Sequence, residues 1–573
     1  MWAPHAQRVE VLVRGVRHPM ASGADGWFDV AVDGAGPGDD YAYALDGGPP
    51  RPDPRSPWQP HGVHGPSRLV DHAAFRWTDG AWRGAPLAAA VLYELHVGTF
   101  TPQGTFEAAI EKLPALVDLG VTAVELMPVA EFPGMRGWGY DGVDLWAPHH
   151  AYGEPDGLKR LVDACHAHGL AVVLDVVYNH LGPDGNYLGE FGPYFIDRYT
   201  TPWGPAVNLD GPGSPEVRAF FLDNASMWLR DYHVDGLRLD AVHAIIDNSA
   251  VHFLEELAER VEVLGAALGR TLWVVAESDL NDPRLVSARD AGGHGLDAQW
   301  NDDFHHALHT VLTGERTGYY EDFGTLADLA KALERAFVYD RRFSRHRRRT
   351  HGRAPLGLSG HRFLGYLQNH DQIGNRARGE RSAALVGAGH LKIAAALVLT
   401  APFIPLLFMG EEWAASTPFL YFTDHEDPKL AEAVREGRRR EFAAFGWRPD
   451  DVPDPHVPES FARSKLRWEE RTAPPHADLL DWHRRLLTLR RGHPALTDGR
   501  LDAVTVRYDE RARWLVLERG DVTVACNFAD APVELTAGRA LRTLLASVSA
   551  ASADGERLRL APASVVVGVA GGP

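Results

Sequence analysis

The stretch GLRLDAVH, residues 236–243, carries the pattern that decides the fold: an arginine and an aspartate are set into a short apolar segment. Successive side chains of a β-strand point to opposite faces, so Arg238 and Asp240, two positions apart, point to the same side. Similar apolar segments recur through residues 88–410, and amphipathic helical stretches separate most of them. This alternation is typical of a parallel sheet that is covered by helices.

Eight such strand segments favour a closed (β/α)8 barrel over an open sheet, and so an α/β fold class. The predicted strands are residues 89–97, 122–129, 171–179, 236–242, 271–278, 296–300, 363–369 and 403–410.

The barrel is predicted to lie between two β-rich domains. Residues 1–87 alternate short apolar stretches with Gly/Pro-rich turns, which predicts an N-terminal β-sandwich, with residues 76–86 as its linker. Residues 88–490 form the catalytic barrel, and residues 491–573 return to a β-rich pattern that predicts a C-terminal β-sandwich. Within the barrel, residues 180–213 and 314–362 are long insertions, and such insertions usually shape a substrate cleft.

Composition limits the partners of the protein. The 573 residues carry a formal net charge of −19, which argues against a nucleic-acid partner. Its two cysteines, Cys165 and Cys526, are far apart and outside any CxxC pair, and the N-terminus lacks the form of a signal peptide. The apolar run 393–409 is short for a membrane span and contains two prolines, which predicts a buried helix and strand. We therefore expect a cytoplasmic protein without a membrane partner.

Polar residues at the ends of the predicted strands are informative, because the strand bodies must be apolar and all strand ends face one pocket. Carboxylates, an arginine and several histidines converge there. The strand-end residues are Asp175, Asn179 and His180; Arg238, Asp240 and His243; Glu277; and Asn369, His370 and Asp371.

This set suits the cleavage of a glycosidic bond, which needs a proton for the leaving oxygen and stabilisation of an oxocarbenium-like carbon. Two carboxyl groups supply both when their environments push their pKa values apart. Arg238 beside Asp240 keeps that carboxylate ionised, as a nucleophile requires. Partial burial of Glu277 at its strand end would suit the acid, and Asp371 could hold the sugar hydroxyls. The alternative interpretation is a set of structural ion pairs at a barrel rim. Because four strand ends carry such residues together, this alternative is disfavoured.

The motifs DVVYNH, GLRLDAV, AES and QNHD resemble the four signature regions of the α-amylase superfamily, in the same order and spacing. The N-terminal WAPHAQRVEVLV is also similar to the sandwich of its branching and debranching members. The resemblance implies a retaining mechanism with Asp240 as nucleophile, Glu277 as general acid/base and Asp371 as transition-state stabiliser. It also implies that Tyr140, His180, Arg238 and His370 line the subsite of the attacked glucosyl ring, and we add His243 and Trp203 as substrate contacts.

A closer resemblance is to the malto-oligosyltrehalose trehalohydrolases. It is carried by YELHVGTFTPQGTF, ELMPVAEFPGMRGWGYDGVDLWAPHHAYG, DGLRLDAVHAIID, WNDDFHHALHTVLTGE and FMGEEWAASTPF. It implies a malto-oligosaccharide substrate that ends in trehalose. Two other interpretations stay open: a glucan branching or debranching enzyme with the same carboxylates, and a non-catalytic glucan-binding protein, which the intact carboxylate set disfavours.

Three other patterns are set aside. GWGYDG (137–142) has the glycine spacing of a dinucleotide site, but no helix opens directly after it. The basic stretch RRFSRHRRR (341–349) lacks interleaved aromatic residues, so a structural loop is the better interpretation. The pairs His149/His150 and His305/His306 lack metal-ligand spacing, so no cofactor and no catalytic metal are predicted; a structural calcium stays open.

Aromatic residues near the pocket are candidate sugar platforms, since sugar rings stack on aromatic faces. For any one of them, core packing is an equally good interpretation. The candidates are Trp138, Tyr140, Trp203, Tyr319 and Tyr320.

Overall fold

The computed structural model describes residues 1–443, 447–448 and 451–571. Its centre is a closed barrel of eight parallel strands, in which each strand pairs with its neighbours in chain order and the last pairs with the first. The barrel strands are β7 (Leu92–Leu95), β8 (Ala123–Leu126), β11 (Ala171–Val176), β14 (Gly236–Leu239), β15 (Trp273–Ala276), β16 (Ala298–Trp300), β19 (Phe363–Gly365) and β20 (Ile404–Phe408). Each of the eight predicted segments contains one of these strands, so the predicted barrel is confirmed.

Helices cover the outside of the barrel and carry parts of its upper rim. They are α1 (Val97–Phe100), α2 (Phe106–Ile110), α3 (Leu113–Leu119), α4 (Pro155–Ala167), α5 (Leu188–Phe191), α6 (Ser214–Asp231), α7 (Phe253–Leu268), α8 (Asp302–Thr313), α9 (Leu326–Arg335), α10 (His370–Gly374), α11 (Ser382–Leu385), α12 (Ala388–Thr400), α13 (Pro428–Ala443), α14 (Pro458–Arg463) and α15 (His476–Gly492). Because the strands are covered on one side by helices and on the other by the barrel interior, their residues are buried throughout.

The apolar run 393–409 is a buried helix followed by a buried strand, as predicted. Helix α12 is buried from Lys392 to Thr400, and β20 is buried along its whole length. Helix α12 packs against α15 on one side and against the C-terminal sheet on another. Among the residues described, none of the helices combines the length and the apolar character that a membrane crossing requires.

The N-terminal strands form a four-stranded antiparallel sheet and a separate two-stranded ribbon. The sheet has the order β2 (Val16–Pro19), β1 (Val9–Val13), β5 (Asp40–Leu45) and β6 (Ser67–Arg68). The ribbon pairs β3 (Ala21–Ser22) with β4 (Phe28–Asp29). Alternate residues of β1 are buried, so one face of this sheet covers small apolar clusters of its own.

The C-terminal strands form one six-stranded antiparallel sheet. Its order is β21 (Val504–Asp509), β22 (Trp514–Arg519), β23 (Val522–Asn527), β26 (Ser564–Ala570), β24 (Val533–Ala546) and β25 (Ser552–Leu560). A β-rich C-terminal domain is thus present as predicted, in the form of a single sheet. The domain limits themselves stay a prediction, and the last two residues of 491–573 lie outside those described.

Each long insertion contains a two-stranded hairpin. In the first, β12 (Phe195–Thr201) pairs with β13 (Gly204–Val207), and in the second, β17 (Asp340–Ser344) pairs with β18 (Arg349–Gly352). A third pair, β9 (Ala130–Glu131) with β10 (Asp144–Pro148), brackets the GWGYDG loop. The basic stretch forms the second hairpin, where Arg342 is ion-paired with Asp328, so part of its charge is neutralised within the fold.

Candidate active site

One fully buried guanidinium joins the carboxyl groups at the barrel mouth. Arg238 donates through Nη1 to both oxygens of Asp175, at 2.8 and 2.7 Å, and to Oδ1 of Asp240 at 2.9 Å. Its Nη2 lies 3.2 Å from Oε2 of Glu277. The register of the barrel explains the arrangement, because Asp175 and Arg238 are Cα partners on β11 and β14. The sequence predicted the pairing of Arg238 with Asp240; the contacts with Asp175 and Glu277 depend on the neighbouring strands.

Asp240 and Glu277 follow directly on neighbouring strands and are tied together by backbone contacts. The amide of Glu277 donates to the carbonyl of Leu239, and Glu277 Oε2 accepts the amide of Ala241 at 2.6 Å. Ala241 adopts a left-handed conformation with φ of 37°, which is uncommon for a residue other than glycine. Backbone of this kind is concentrated at functional sites, where the surrounding structure maintains it.

The environment of Glu277 favours its protonated form. Burial raises the pKa of this carboxyl, the charge of Asp240 adds to the effect, and Arg238 opposes it, with a result of about 8. The amide of Ala241 donates to Oε2, and the nearest guanidinium nitrogen also lies on that side, so a proton on this carboxyl belongs on Oε1. A carboxylic acid that keeps its proton near neutral pH can serve as a general acid.

Asp371 and His370 are positioned by a capped single-turn helix, α10. The side chain of Asn369 accepts the amides of Asp371 and Gln372, and the side chain of Gln372 accepts the amide of Asn369. Nε2 of the buried His370 ring lies 3.6 Å from Oδ1 of Asp371, whose side chain is 40% exposed. Asp371 is thus the most accessible of the three predicted catalytic carboxyls.

Tyr140 reaches the same cluster from the GWGYDG loop. Its hydroxyl donates to Asp175 at 2.6 Å, and its ring stacks on His370 with 5.1 Å between the centroids. Gly139 precedes it with φ of 100°, and a Cβ there would lie 2.3 Å from the carbonyl oxygen of Pro128. Glycine is therefore required for the loop to present Tyr140 in this position.

The remaining predicted substrate contacts lie at the rim of the pocket. His180 is buried, and its Nε2 donates to the carbonyl of Tyr140 at 3.0 Å. Trp203, in the turn of the β12–β13 hairpin, stacks on His180 with 4.4 Å between centroids and remains 48% exposed. His243 is exposed in the short 3-10 helix that follows β14. The structure thus brings eight of the nine predicted residues into one linked cluster, and His243 lies outside it on the 3-10 helix that follows β14.

The other aromatic candidates are mostly packing residues. Trp138 is buried, donates to the carbonyl of Leu420 and stacks on Phe419. Tyr320 is buried, and its hydroxyl lies 2.9 Å from His305. Tyr319 is only half-buried. For Trp138 and Tyr320 the packing interpretation therefore holds.

Sequence reasoning missed three residues around the site. Glu94 in β7 contacts His370 from below the pocket. A carboxylate inside the otherwise apolar strand LYEL is the feature of the sequence that could have pointed to it. Asp279 lies two residues after Glu277 and is ion-paired at 2.8 Å with Arg347, in the turn of the β17–β18 hairpin. Only the fold shows that this hairpin reaches the barrel mouth.

Glu131, His149 and His150 are close enough together to be considered as metal ligands. Nδ1 of His149 accepts the amide of Ala151 at 3.1 Å, so the ring carries its proton on Nε2. That Nε2 is the atom 3.9 Å from Glu131, and a protonated nitrogen offers a metal no lone pair. Nδ1 of His150 lies 2.6 Å from the same carboxylate. We therefore assign Glu131 and His150 to an ion pair next to the GWGYDG loop, with the buried His149 ring neutral beside it.

Comparisons with known proteins agree with this site. Residues 72–192 match the family described as "Alpha amylase, catalytic domain", and residues 499–567 match a domain of unknown function, DUF3459. The malto-oligosyltrehalose trehalohydrolase of Rhizobium sp. (strain M-11) is 50% identical over 99% of this chain and 96% of its own length. That of Arthrobacter ramosus is 52% identical over 93% of each chain. A crystal structure of an α-amylase-type protein from Salmonella typhimurium is 40% identical, with a TM-score of 0.91 over 100% of this chain and 97% of that one.

The closed barrel with its carboxyl cluster, together with these matches, defines a glycosidase of the α-amylase superfamily. Within that superfamily, the chain belongs to the malto-oligosyltrehalose trehalohydrolase family.

Proposed function

We propose that the protein hydrolyses the α-1,4 bond next to the terminal trehalose of malto-oligosyltrehalose and releases trehalose. The observation that carries the mechanism is the single guanidinium of Arg238 in contact with both Asp240 and Glu277. It holds the two carboxyl groups together at one pocket. The proposal of this substrate rests on the relatives of nearly equal length that bear the trehalohydrolase name.

The proposed mechanism assigns one step to each carboxyl group. Asp240, paired with Arg238, attacks the anomeric carbon, while Glu277 gives its proton to the departing oxygen of trehalose. Glu277 then takes a proton from water, which hydrolyses the glycosyl-enzyme. Asp371 binds sugar hydroxyls as the ring distorts, and Tyr140, His180, His370 and Trp203 line the pocket. His243 contacts the substrate at the rim.

Product analysis tests this function. The protein is incubated with maltotriosyltrehalose and, separately, with maltopentaose. We expect free trehalose and maltotriose from the first substrate, and slow cleavage of the second. Equal rates on both substrates would indicate a general amylase, and new α-1,6 linkages would indicate a branching enzyme. No cleavage of either, with binding retained, would indicate a glucan-binding protein.

We also propose that the protein works in the cytoplasm. Cys165 and Cys526 are both buried and unpaired. Free thiols of this kind are typical of a reducing compartment. Fractionation of the producing cells, with detection by antibody, tests this, and recovery from the secreted fraction would contradict it.

A further inference from the structure

The ring of His370 is held from beneath by a carboxylate that is not among the predicted site residues. Glu94 lies in β7 and is 1% exposed. Its Oε1 is 2.5 Å from Nδ1 of His370, and its Oε2 accepts the backbone amide of the same residue at 3.1 Å. Glu94 therefore fixes both the rotation of the ring and the backbone that carries it.

With Nδ1 engaged, Nε2 is the ring atom that faces the pocket. It lies 3.6 Å from Oδ1 of Asp371. A neutral ring with its proton on Nδ1 would present the lone pair of Nε2 to this carboxylate, which is unfavourable. A protonated ring presents an N–H donor there instead.

We propose that Glu94 is a positioning residue that keeps His370 as an imidazolium, so that the charged ring pairs with Asp371 and Nε2–H donates to a sugar hydroxyl in the pocket. This inference rests on the proposed function of the site. It assigns Glu94 an indirect role, because Glu94 acts through His370 and touches no substrate.

The charges around His370 support this assignment. Burial lowers the pKa of His370, but Glu94 and Asp371 outweigh burial, and Arg238 opposes them, with a result of about 9. Asp371 is partly exposed to water, which screens its charge, whereas Glu94 is not. Glu94 is therefore the anion that matters most for the ring.

Three further titratable groups face His370 from neighbouring elements. Burial raises the pKa of Tyr140, whose ring stacks on His370, well above its usual range, so this hydroxyl is uncharged. Burial raises the pKa of Glu125, on β8, well above its usual range, so this carboxyl is uncharged. Burial lowers the pKa of His96, directly after β7, to about 3, so this ring is neutral. In the unaltered protein none of these groups supplies the negative counter-charge of His370.

The test compares pH profiles of kcat/KM for the full-length protein and its Glu94→Gln variant, on whichever of maltotriosyltrehalose or maltopentaose is cleaved. Glutamine keeps the shape and one acceptor but removes the charge. In the unaltered protein Glu277, with a pKa of about 8, loses its proton before His370 and sets the alkaline limb. Without its counter-ion, His370 should lose its proton below that pH, so we expect the limb to move to lower pH by about one unit or more. Glu94→Asp, which keeps the charge, should restore the position of the limb at a lower kcat. A profile of Glu94→Gln that coincides with that of the unaltered protein would overturn the proposal.

Glu125→Gln is the matched control. Glu125 is the Cα partner of Glu94 across β7 and β8 and is equally buried. Because its carboxyl is already uncharged, the amide should leave the alkaline limb in place. If Glu125→Gln moved the alkaline limb as far as Glu94→Gln does, the shift would be a general effect of changing a buried carboxyl beneath the pocket. In a His370→Gln background, Glu94→Gln should cause no further shift; a further shift would mean that Glu94 acts on Glu277 instead.

Histidine NMR measures the charge directly and needs no substrate. In protein with ¹⁵N-labelled histidine, the signals of His370 are identified by their loss in His370→Gln. We expect imidazolium shifts at neutral pH in the unaltered protein and neutral-ring shifts in Glu94→Gln. If Glu94→Gln does not fold, the unaltered protein alone decides, because a neutral ring there overturns the proposal. This measurement stands even if neither glucan is cleaved, so it separates failure of this inference from failure of the proposed function.

Discussion

Arg238 determines how the individual carboxyl groups at the mouth behave. It is completely buried among Asp175, Asp240 and Glu277, so three acidic groups share one positive charge. Asp175 takes two of the hydrogen bonds, although burial still raises its pKa to about 6. Glu277 has the weakest contact with the guanidinium, and its pKa of about 8 is higher than that of Asp175. The unequal sharing of one cation thus separates the groups into anions and an acid.

The catalytic pair gives the first prediction. Asp240→Asn removes the nucleophile and Glu277→Gln removes the proton donor, so each should lower kcat by roughly 10²–10⁴-fold with the fold intact. Glu277→Gln should still bind maltotriosyltrehalose, because the amide keeps the shape of the side chain. Steady-state kinetics, calorimetric binding and circular dichroism measure these effects. Near-native kcat in either variant would refute the assignment.

The pH profile gives the second prediction. A general acid must hold its proton in the free enzyme, so kcat/KM should fall as pH rises through the pKa of Glu277. Burial places that pKa at about 8, whereas an unperturbed glutamic acid has a value of about 4.3. We therefore expect the alkaline limb near pH 8, measured on maltotriosyltrehalose in buffers of constant ionic strength. An alkaline limb near pH 5 would show that Glu277 is not the buried acid described above.

Among the structural elements, the two insertions bring hairpins to the barrel mouth by different contacts. The turn of β12–β13 places Trp203 against His180 by ring stacking. The turn of β17–β18 places Arg347 against Asp279 by an ion pair at 2.8 Å, next to the acid Glu277. The aromatic ring of Trp203 gives one hairpin a shaped surface, and the ion-paired Arg347 gives the other a charged one. Together they are suited to distinguishing a bent α-1,1-linked disaccharide from a continuing α-1,4 chain.

The β12–β13 hairpin gives the third prediction. Trp203→Ala should narrow the ratio of kcat/KM for maltotriosyltrehalose over maltopentaose by about tenfold, equivalent to about 1.4 kcal/mol, because one aromatic wall is lost. Trp27→Ala is the control, since Trp27 is also partly exposed but lies in the N-terminal region. The hypothesis fails if Trp203→Ala leaves the ratio unchanged, or if Trp27→Ala narrows it equally.

In the molecule as a whole, two buried arginines join the C-terminal sheet and α15 to the barrel. Arg519 of β22 donates to the carbonyls of Thr400 and Ala401 at the end of α12, at 2.7 and 2.8 Å. Arg490 of α15 donates to the carbonyls of Ala401 and of Phe403, next to β20. Carbonyls at a helix C-terminus have no partner within the helix and carry negative partial charge, so a cation there is favourable.

This junction gives the fourth prediction. Arg519→Ala should lower the free energy of unfolding by about 1–3 kcal/mol, because buried carbonyls lose their donor. Arg511→Ala, an exposed change in the same sheet region, should have no measurable effect. Denaturant unfolding monitored by circular dichroism provides both values, with kcat/KM as a check that the pocket is intact. Equal midpoints for the two variants would contradict this role of Arg519.

The sequence by itself determined the barrel and its carboxyl set. Eight apolar segments separated by helices specify a barrel because both faces of each strand are covered, and residues at strand ends such as Asp240 and Glu277 must then face one pocket. The local rule of alternation also places Arg238 on the side of Asp240. The strand order of the C-terminal domain was not specified, because alternation marks strands without telling which ones pair.

Only the tertiary structure decided how charge is distributed in the pocket. Asp175, Arg238 and Glu277 come from three strands, and their contacts depend on strand register. Glu94 lies 276 residues from His370 in the chain, and Arg347 lies 68 residues from Asp279. No local pattern encodes such pairs, because desolvation and Coulomb interaction depend on distance in space. The protonation state of each group therefore follows from the closed barrel as a whole.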